Sequence, residues 1–263
     1  MKYCRFLTQD GPKWGLVTQE NGEDSIVEFA ESPWQSANPE TLALPPVRLG
    51  EVTLLAPVSP SKIVCVGRNY RDHAKELGNE VPTEPLLFFK PPSSLLAPSA
   101  PIVLPSISRR VDFEGELALI IGKRVRKFCR SQDVRPYIHG LTLANDVTAR
   151  DLQKKESQWT RGKGFDTFCP VGPFVETGLD PLAPLTINTH VNGELRQQGR
   201  TRDFIFTLPE LLEYITAAMT LEPGDLLLTG TPAGVGPLAA GDVVEVSIPE
   251  IGTLSNPVQP DIG

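Results

Sequence analysis

Apolar and polar residues alternate with a period of two along much of this chain, in short runs separated by glycine and proline, which predicts strands rather than long helices. Tyr3, Arg5 and Leu7 alternate with other residues, and residues 14–18 and 25–29 flank Asn21-Gly22, a two-residue hairpin signal. From 31 to 60 prolines recur at 33, 39, 45, 46, 57 and 60 with little periodicity apart from residues 52–55. This stretch reads as an ordered, irregular connection and places the domain boundary there. A small N-terminal β-module with its connection then covers 1–58, and the larger domain covers 59–263.

In the larger domain, residues 62–66 form a short apolar strand that runs into Gly67-Arg68-Asn69-Tyr70. Asn69 suits an N-cap, and residues 70–77 follow as two helical turns stopped by Gly78. Tyr70, Ala74 and Leu77 make the apolar edge of that helix, and His73 and Glu76, at i and i+3, share a neighbouring face. Residues 86–90 read as a strand, 109–121 as one long strand, 133–138 as a short helix and 140–144 as a strand ending at Asn145-Asp146. A helix opens at Thr148 and runs through Gln153 to Lys155. Residues 185–191 turn at Asn192-Gly193, and Thr207-Leu208-Pro209-Glu210 is a capping box whose helix stacks Leu211, Leu212, Ile215 and Met219. Val244, Val246 and Ile248 alternate in a closing strand, and the fold class is α+β, β-rich.

Composition narrows the function. The 263 residues carry a net charge of −7, with a pI near 5.1 and a mean hydropathy of −0.12, which argues against a nucleic-acid binder. No apolar run reaches the roughly 18 residues that span a membrane, and MKYCRFLTQD lacks the apolar core of a signal peptide. Cys4, Cys65, Cys129 and Cys169 stand far apart, as reduced thiols in a cytoplasmic protein do. His73, His139 and His190 are the only histidines, which argues against a multi-histidine metal site.

The chemistry concentrates in Arg109–Ile121, where Asp112, Glu114 and Glu116 alternate with Phe113, Gly115 and Leu117 before the apolar run 117–121. In one strand the three carboxylates point to one face. Acids leading into a core strand are costly to desolvate unless a cation holds them, and oxygen-only ligation suits Mg²⁺, Mn²⁺ or Ca²⁺ better than zinc. The alternative is an edge strand whose acids face water. His73 beside Glu76 has the form of a general base oriented by a carboxylate, or of an ordinary surface pair. Asp146 stands at a strand-to-helix junction, and Lys163 lies between two glycines, where it meets an anionic substrate or simply solvent. The stretch 224–236 is neither a P-loop nor a dinucleotide fingerprint, and it can form a backbone nest for a carboxylate.

Taken in order, Gly67-Arg68-Asn69-Tyr70…His73…Glu76, Asp112-Phe113-Glu114-Gly115-Glu116, Asn145-Asp146-Val147-Thr148-Ala149-Arg150-Asp151, Lys163 and Leu228-Thr229-Gly230-Thr231-Pro232 resemble the fumarylacetoacetate hydrolase family over roughly 60–255. The resemblance implies a mixed β-roll, usually a homodimer, with Glu114, Glu116 and Asp146 ligating Mg²⁺ or Mn²⁺ (Ca²⁺ as a substitute). It implies His73 and Glu76 as the dyad on a mobile helix, Lys163 as the active-site lysine, and Arg68, Gln153 and Thr231 as substrate contacts. Asp112, outside the family's ligand set, is assigned a supporting hydrogen bond. Residues 1–58 lie outside the match with the shorter members.

The resemblance also implies a reaction: cleavage of a C–C bond in a short 2-oxo or 2,4-dioxo acid, by acylpyruvate hydrolysis or oxaloacetate decarboxylation. The divalent ion acts as a Lewis acid that stabilises the departing pyruvate enolate, and Lys163 neutralises remaining charge. His73 with Glu76 activates the attacking water in the hydrolytic case. The rival within enzymes is an isomerase or tautomerase, in which a base moves a proton and no C–C bond breaks. Retention of His73 and Glu76 favours hydrolysis, and the rival of another class is a β-rich binding module without metal affinity.

Overall fold

A computed structural model describes residues 1–20, 22–33 and 39–261. Strand β1 (Lys2–Thr8) is followed by β2 (Gly11–Glu20) and β3 (Glu23–Glu28), which pair antiparallel out to Glu20↔Glu23. Asn21 of the expected hairpin turn lies outside the described residues. The irregular connection holds β4 (Val47–Arg48) and β5 (Thr53–Leu55), and β5 pairs with β1. Then come β6 (Ile63–Gly67), helix α1 (Arg71–Glu76), β7 (Leu86–Lys90), β8 (Leu95–Leu96) and β9 (Ile102–Leu104).

The acidic stretch is two strands rather than one. β10 (Val111–Phe113) pairs with β13 (Thr148–Ala149) and β18 (Gly236–Pro237) in a small sheet, whereas β11 (Gly115–Ile121) pairs with β12 (Ile138–Asn145) and β17 (Leu226–Leu228) in the large one. The break falls at Glu114, so the period of two does not carry Asp112 onto the face of the other two acids. Two further expectations change. Residues 133–138 give only the single 3₁₀ turn Arg135–Tyr137, and the segment opening at Thr148 starts as β13 before helix α2 (Arg150–Lys155). Pro136 and the pairing of β13 with β10 account for both, because each withholds backbone bonds that a helix needs.

The remaining elements are α3 (Thr160–Lys163), β14 (Cys169–Glu176), β15 (Thr186–Val191), β16 (Glu194–Arg200), α4 (Leu208–Ala218), β19 (Val243–Ile248) and β20 (Gly252–Pro260). The large sheet runs β4-β3-β2-β1-β14-β12-β11-β17-β6-β7, with β6 parallel to β17, and β16-β15-β19-β20-β9 form a second sheet. The protein is thus β-rich with mixed sheets, and the N-terminal strands extend the large sheet at the edge of β14. No helix among the described residues is long and apolar enough to cross a membrane.

β11 explains the unbroken apolar run. Leu117, Leu119 and Ile121 pack into a core with Leu141, Leu143, Leu211, Ile215 and Val246, while Ala118 and Ile120 face a second core with Tyr3, Cys65, Val171 and Leu228. A strand covered on both faces has no polar side to alternate with.

Asn69 departs from its expected capping role. Tyr70 occupies the N-cap position of α1, and Asn69 is fully buried. Its Nδ2 donates to the carbonyls of Thr229 (2.8 Å) and Phe206 (3.3 Å), and its Oδ1 accepts from the Phe206 N–H (2.8 Å). One amide therefore ties the start of α1 to two distant loops. Asn69→Ala leaves those groups unpaired and should cost roughly 2–4 kcal/mol, whereas Tyr70→Phe removes a buried hydroxyl with no hydrogen-bond partner and should stay within about 0.5 kcal/mol. Urea unfolding of both variants checks this, and equal losses would contradict the assignment.

Candidate metal and substrate site

Three carboxylates meet where β11 and β12 begin and end. Glu114 precedes β11, Glu116 is its second residue and Asp146 follows β12. The register Gly115↔Asn145 sets these segments side by side. Asn145 Oδ1 accepts the Glu114 N–H (2.9 Å) and the Glu114 carbonyl accepts the Asp146 N–H (2.8 Å). All three side chains are buried, and one oxygen from each lies within 4.8 Å of the others.

Cationic side chains surround two of the three. Lys90 Nζ donates to Asp146 Oδ1 (2.6 Å), and Lys163 Nζ donates to Asp146 Oδ2 (2.5 Å) and Glu114 Oε2 (2.8 Å). Arg150 spans Glu114 Oε1 (2.5 Å) and Asp112 Oδ2 (2.9 Å), and Arg110 holds the same Asp112 from the surface side. Burial raises the Glu114 carboxyl, but Lys163 and Arg150 outweigh it and hold the group below the usual carboxylate range. Lys163 is pulled down by burial and pushed up further by Asp146 and Glu114, so its ammonium is retained. Glu116 differs. Its carboxylate accepts the Gly230 N–H (2.6 Å) and has no cationic side chain in hydrogen-bonding reach among the described residues. Burial, Asp146 and Glu114 together push it well above its ordinary value.

This donor set fits a divalent cation. It is all oxygen, compact and buried, and Glu116 is the member for which the protein supplies no counter-charge. Four clustered carboxylates, Asp112 included, face four cationic side chains, Lys90, Arg110, Arg150 and Lys163. A divalent ion therefore leaves the cluster with an excess of positive charge, which suits an anionic ligand.

A cavity of about 280 Å³ opens onto the triad, and His73, Arg68, Gln153, Lys163 and Thr231 all line it. Glu76 does not. Its carboxylate accepts the Gly234 N–H (3.0 and 3.1 Å), and its Oε2 lies 3.5 Å from His73 Nδ1, a buried nitrogen with no hydrogen-bond partner. Burial pulls the imidazole below its ordinary value, against the opposing charges of Glu114 and Glu76. Lys163, the active-site lysine that the resemblance implies, is committed to Glu114 and Asp146, with the Phe88 ring 4.9 Å from its Nζ. Gln153 accepts from Arg150 Nη1 (2.8 Å), and Thr231 donates to the Gly115 carbonyl (2.9 Å). Arg68 sits at φ +58°, a left-handed turn that sends its guanidinium over Trp159, 5.9 Å from the ring centre, while Asn69 turns inward.

Sequence reasoning passed over Lys90, Arg150 and Gln197. Lys90 ends an otherwise apolar strand, Leu-Leu-Phe-Phe-Lys, and such a lysine facing a core needs an acid. Arg150 was visible inside a quoted motif without a role. Gln197 carried no signal, because its partners are distant in sequence. It accepts the Gly115 N–H (3.0 Å) and donates to Thr231 Oγ1 (2.7 Å) and the Pro232 carbonyl (2.8 Å). With Thr231 it fixes both polar groups flanking Gly115, the residue between the two glutamates. A Cβ on Gly115 would lie 2.1 Å from Thr189 Oγ1, so only glycine fits this crossing.

Residues 62–259 match the family model described as fumarylacetoacetate (FAA) hydrolase C-terminal, and residues 1–57 match a model described as Rv2993c-like, N-terminal. The chain is 46% identical to Protein Rv2993c of Mycobacterium tuberculosis, covering 98% of each. It is 44% identical to Oxaloacetate tautomerase YisK of Bacillus subtilis, covering 80% of this chain and 74% of that one. The solved structure titled 2-hydroxyhepta-2,4-diene-1,7-dioate isomerase from Mycobacterium marinum superposes with a TM-score of 0.90 at 43% identity, over the whole of both chains.

Glu116→Gln keeps an acceptor for the Gly230 N–H and removes the carboxylate that lacks a counter-charge. Without divalent ions the variant should melt at or above the wild-type temperature, yet lose the stabilisation that Mg²⁺ or Mn²⁺ confers on the wild type. Thermal melts with and without metal check both halves. A wild type indifferent to divalent ions would remove the metal assignment.

Proposed function

Because this chain belongs to the fumarylacetoacetate hydrolase family, we propose that it catalyses the keto–enol interconversion of a short 2-oxo dicarboxylate of the oxaloacetate type, with Mg²⁺ or Mn²⁺ held by Glu114, Glu116 and Asp146. The observation that carries the reading is the meeting of the carboxylate triad and a buried imidazole in one small cavity that is also lined by Arg68, Arg150, Lys154 and Lys163, a surplus of cations that suits an anionic substrate. The ion supplies Lewis acidity to the 2-oxo acid end of the substrate. The relative named oxaloacetate tautomerase and the structure titled as an isomerase support the same reaction class.

The chain's own groups then have separate tasks. Arg150 and Lys163 hold Glu114 ionised and oriented, and Lys90 fixes the position of the Asp146 carboxylate. His73 Nδ1 faces Glu76, which leaves Nε2 as the nitrogen available to the cavity. With the proton on Nδ1, Nε2 takes a proton from C3 and passes it to the 2-oxygen to give the enol, and the same transfer run backwards restores the ketone. Only one C–H and one O–H bond change, and no co-reactant is needed. The apolar walls of Val66, Leu77, Phe88 and Trp159 keep water from competing for that proton.

A second reading has an observation of its own. Glu76 lies 3.5 Å from His73 Nδ1, near enough to polarise the imidazole for water attack if it leaves Gly234, and that would serve acylpyruvate hydrolysis. Oxaloacetate decarboxylation needs no nucleophile at all. One assay separates the three. Purified protein with Mg²⁺ should accelerate the decay of enol-oxaloacetate absorbance with no matching release of pyruvate, EDTA should abolish the effect, and His73→Gln should reduce it by roughly 10²–10⁴-fold. Pyruvate released from acetylpyruvate or oxaloacetate at the enol-decay rate would move the assignment to C–C cleavage.

A further inference from the structure

The cavity has two ends of different chemistry. All the carboxylates that line it, Glu114, Glu116 and Asp146, lie at its buried end. The rim carries Arg68, half-buried over Trp159, and Lys154, exposed, and no acid lines the rim with them. Neither cation makes an ion pair among the described residues, whereas Arg150 and Lys163 at the buried end both do.

Helix α2 grades one end into the other. Arg150, Gln153 and Lys154 stand at i, i+3 and i+4, so they share one face. Along that face the side chains pass from buried (Arg150) through half-buried (Gln153) to exposed (Lys154), and all three line the cavity. Arg150 is spent on Glu114 and Asp112, and Gln153 is held by Arg150 Nη1. Lys154 is the member of the face left with a free charged head. Across from it, Gly67 keeps the wall thin, since a Cβ there would meet the Trp159 ring at 3.1 Å, and Trp159 in turn supports the Arg68 guanidinium.

We propose that Lys154, with Arg68, reads the distal carboxylate of the substrate and makes the enzyme selective for 2-oxo dicarboxylates over acids with a neutral tail. This deepens the function proposed above and rests on it for which end of the ligand lies at the triad. A diacid whose 2-oxo end sits among the carboxylates extends its second carboxylate toward the two unpaired cations. A ligand without that carboxylate leaves them hydrated and loses nothing at the buried end. Lys154 is on a flexible stem and exposed, so it supplies discrimination without burying a charge that would otherwise need a partner.

The test compares L-malate with L-lactate, which share a 2-hydroxy carboxylate end and differ in the distal carboxylate. Calorimetric titration of the Mg²⁺-loaded protein should show tighter binding of malate. Lys154→Ala should weaken malate by about fivefold to twentyfold and leave lactate within about twofold. Lys154→Arg should restore the preference and Lys154→Glu should remove it. Equal weakening of both ligands, no change in either, or failure of the arginine to rescue would overturn the proposal. The readout is binding, so the two claims fail separately: absent oxaloacetate turnover with the malate preference intact defeats the reaction, and normal turnover with an unchanged preference in Lys154→Ala defeats the role of Lys154.

Discussion

Lys163 donates to both Glu114 and Asp146 from a fully enclosed position, and much of the surrounding structure is arranged so that those charges can stay inside. Removing an ion from water costs several kcal/mol even after relaxation, and a buried pair recovers it only with good geometry and further hydrogen bonds. Here each oxygen of both carboxylates has a cationic donor and keeps a lone pair for a further ligand. Asp146 receives two ammonium groups, and Glu114 receives one ammonium and one guanidinium. Arg150 is itself fixed by Asp112, which explains why an acid outside the triad is buried beside it. The arrangement stops short at Glu116, which has a single backbone N–H. That shortfall is the physical case for a cation, because a protein that needed only stability would have placed an apolar residue there.

The same positions show why the large sheet has to be continuous. Glu116 lies on the strand face that continues through Ala118 and Ile120 into the second core, and that core is closed by Tyr3 of β1. Tyr3 also exchanges a 2.8 Å hydrogen bond with His139 on β12, the strand that ends at Asn145 and delivers Asp146. The N-terminal strands therefore cover the far end of the strands that carry the site. Their pairing with β14, which pairs in turn with β12, extends the sheet beside the strand that delivers Asp146, and no residue of these N-terminal strands lines the cavity.

The sequence was most legible where chemistry and local pattern coincide. The hairpins, the capping box at Thr207, the doubly apolar β11 and the acids of the triad all carry short-range signals: period, turn residues, or a charge next to an apolar run. What failed to show was decided by contacts distant in sequence. Asn69 has the composition of an N-cap, but three hydrogen bonds from Phe206 and Thr229, more than 130 residues away, outbid the capping position. The break at Glu114 is invisible in an alternating run, because it arises from β10 leaving for a different sheet. Gln197 is an ordinary polar residue on an alternating strand until Gly115 and Thr231 are placed beside it. Lys90 and Arg150 are the intermediate case, since a basic residue in an apolar context is visible but its acid partner is not.

Glu76 decides how the imidazole is used. Its i,i+3 spacing from His73 guarantees proximity on α1, but proximity is shared with the loop opposite, where the Gly234 N–H competes for the same carboxylate. While Glu76 is held there, His73 Nδ1 has a carboxylate oxygen at 3.5 Å and no hydrogen bond, so the imidazole is oriented but weakly polarised. The proposed proton transfer asks no more than that, because the electron pair left on C3 is drawn into the adjacent 2-oxo group. It is a poorer arrangement for deprotonating water, which demands a stronger base held by a direct bond. The loop that carries Gly234 also carries Thr231 and Gly230, the residues that brace Gly115 and Glu116. One strap thus braces Gly115 and Glu116 and holds Glu76 away from a direct bond to His73, and the proposed preference for enolisation over hydrolysis rests on that single arrangement.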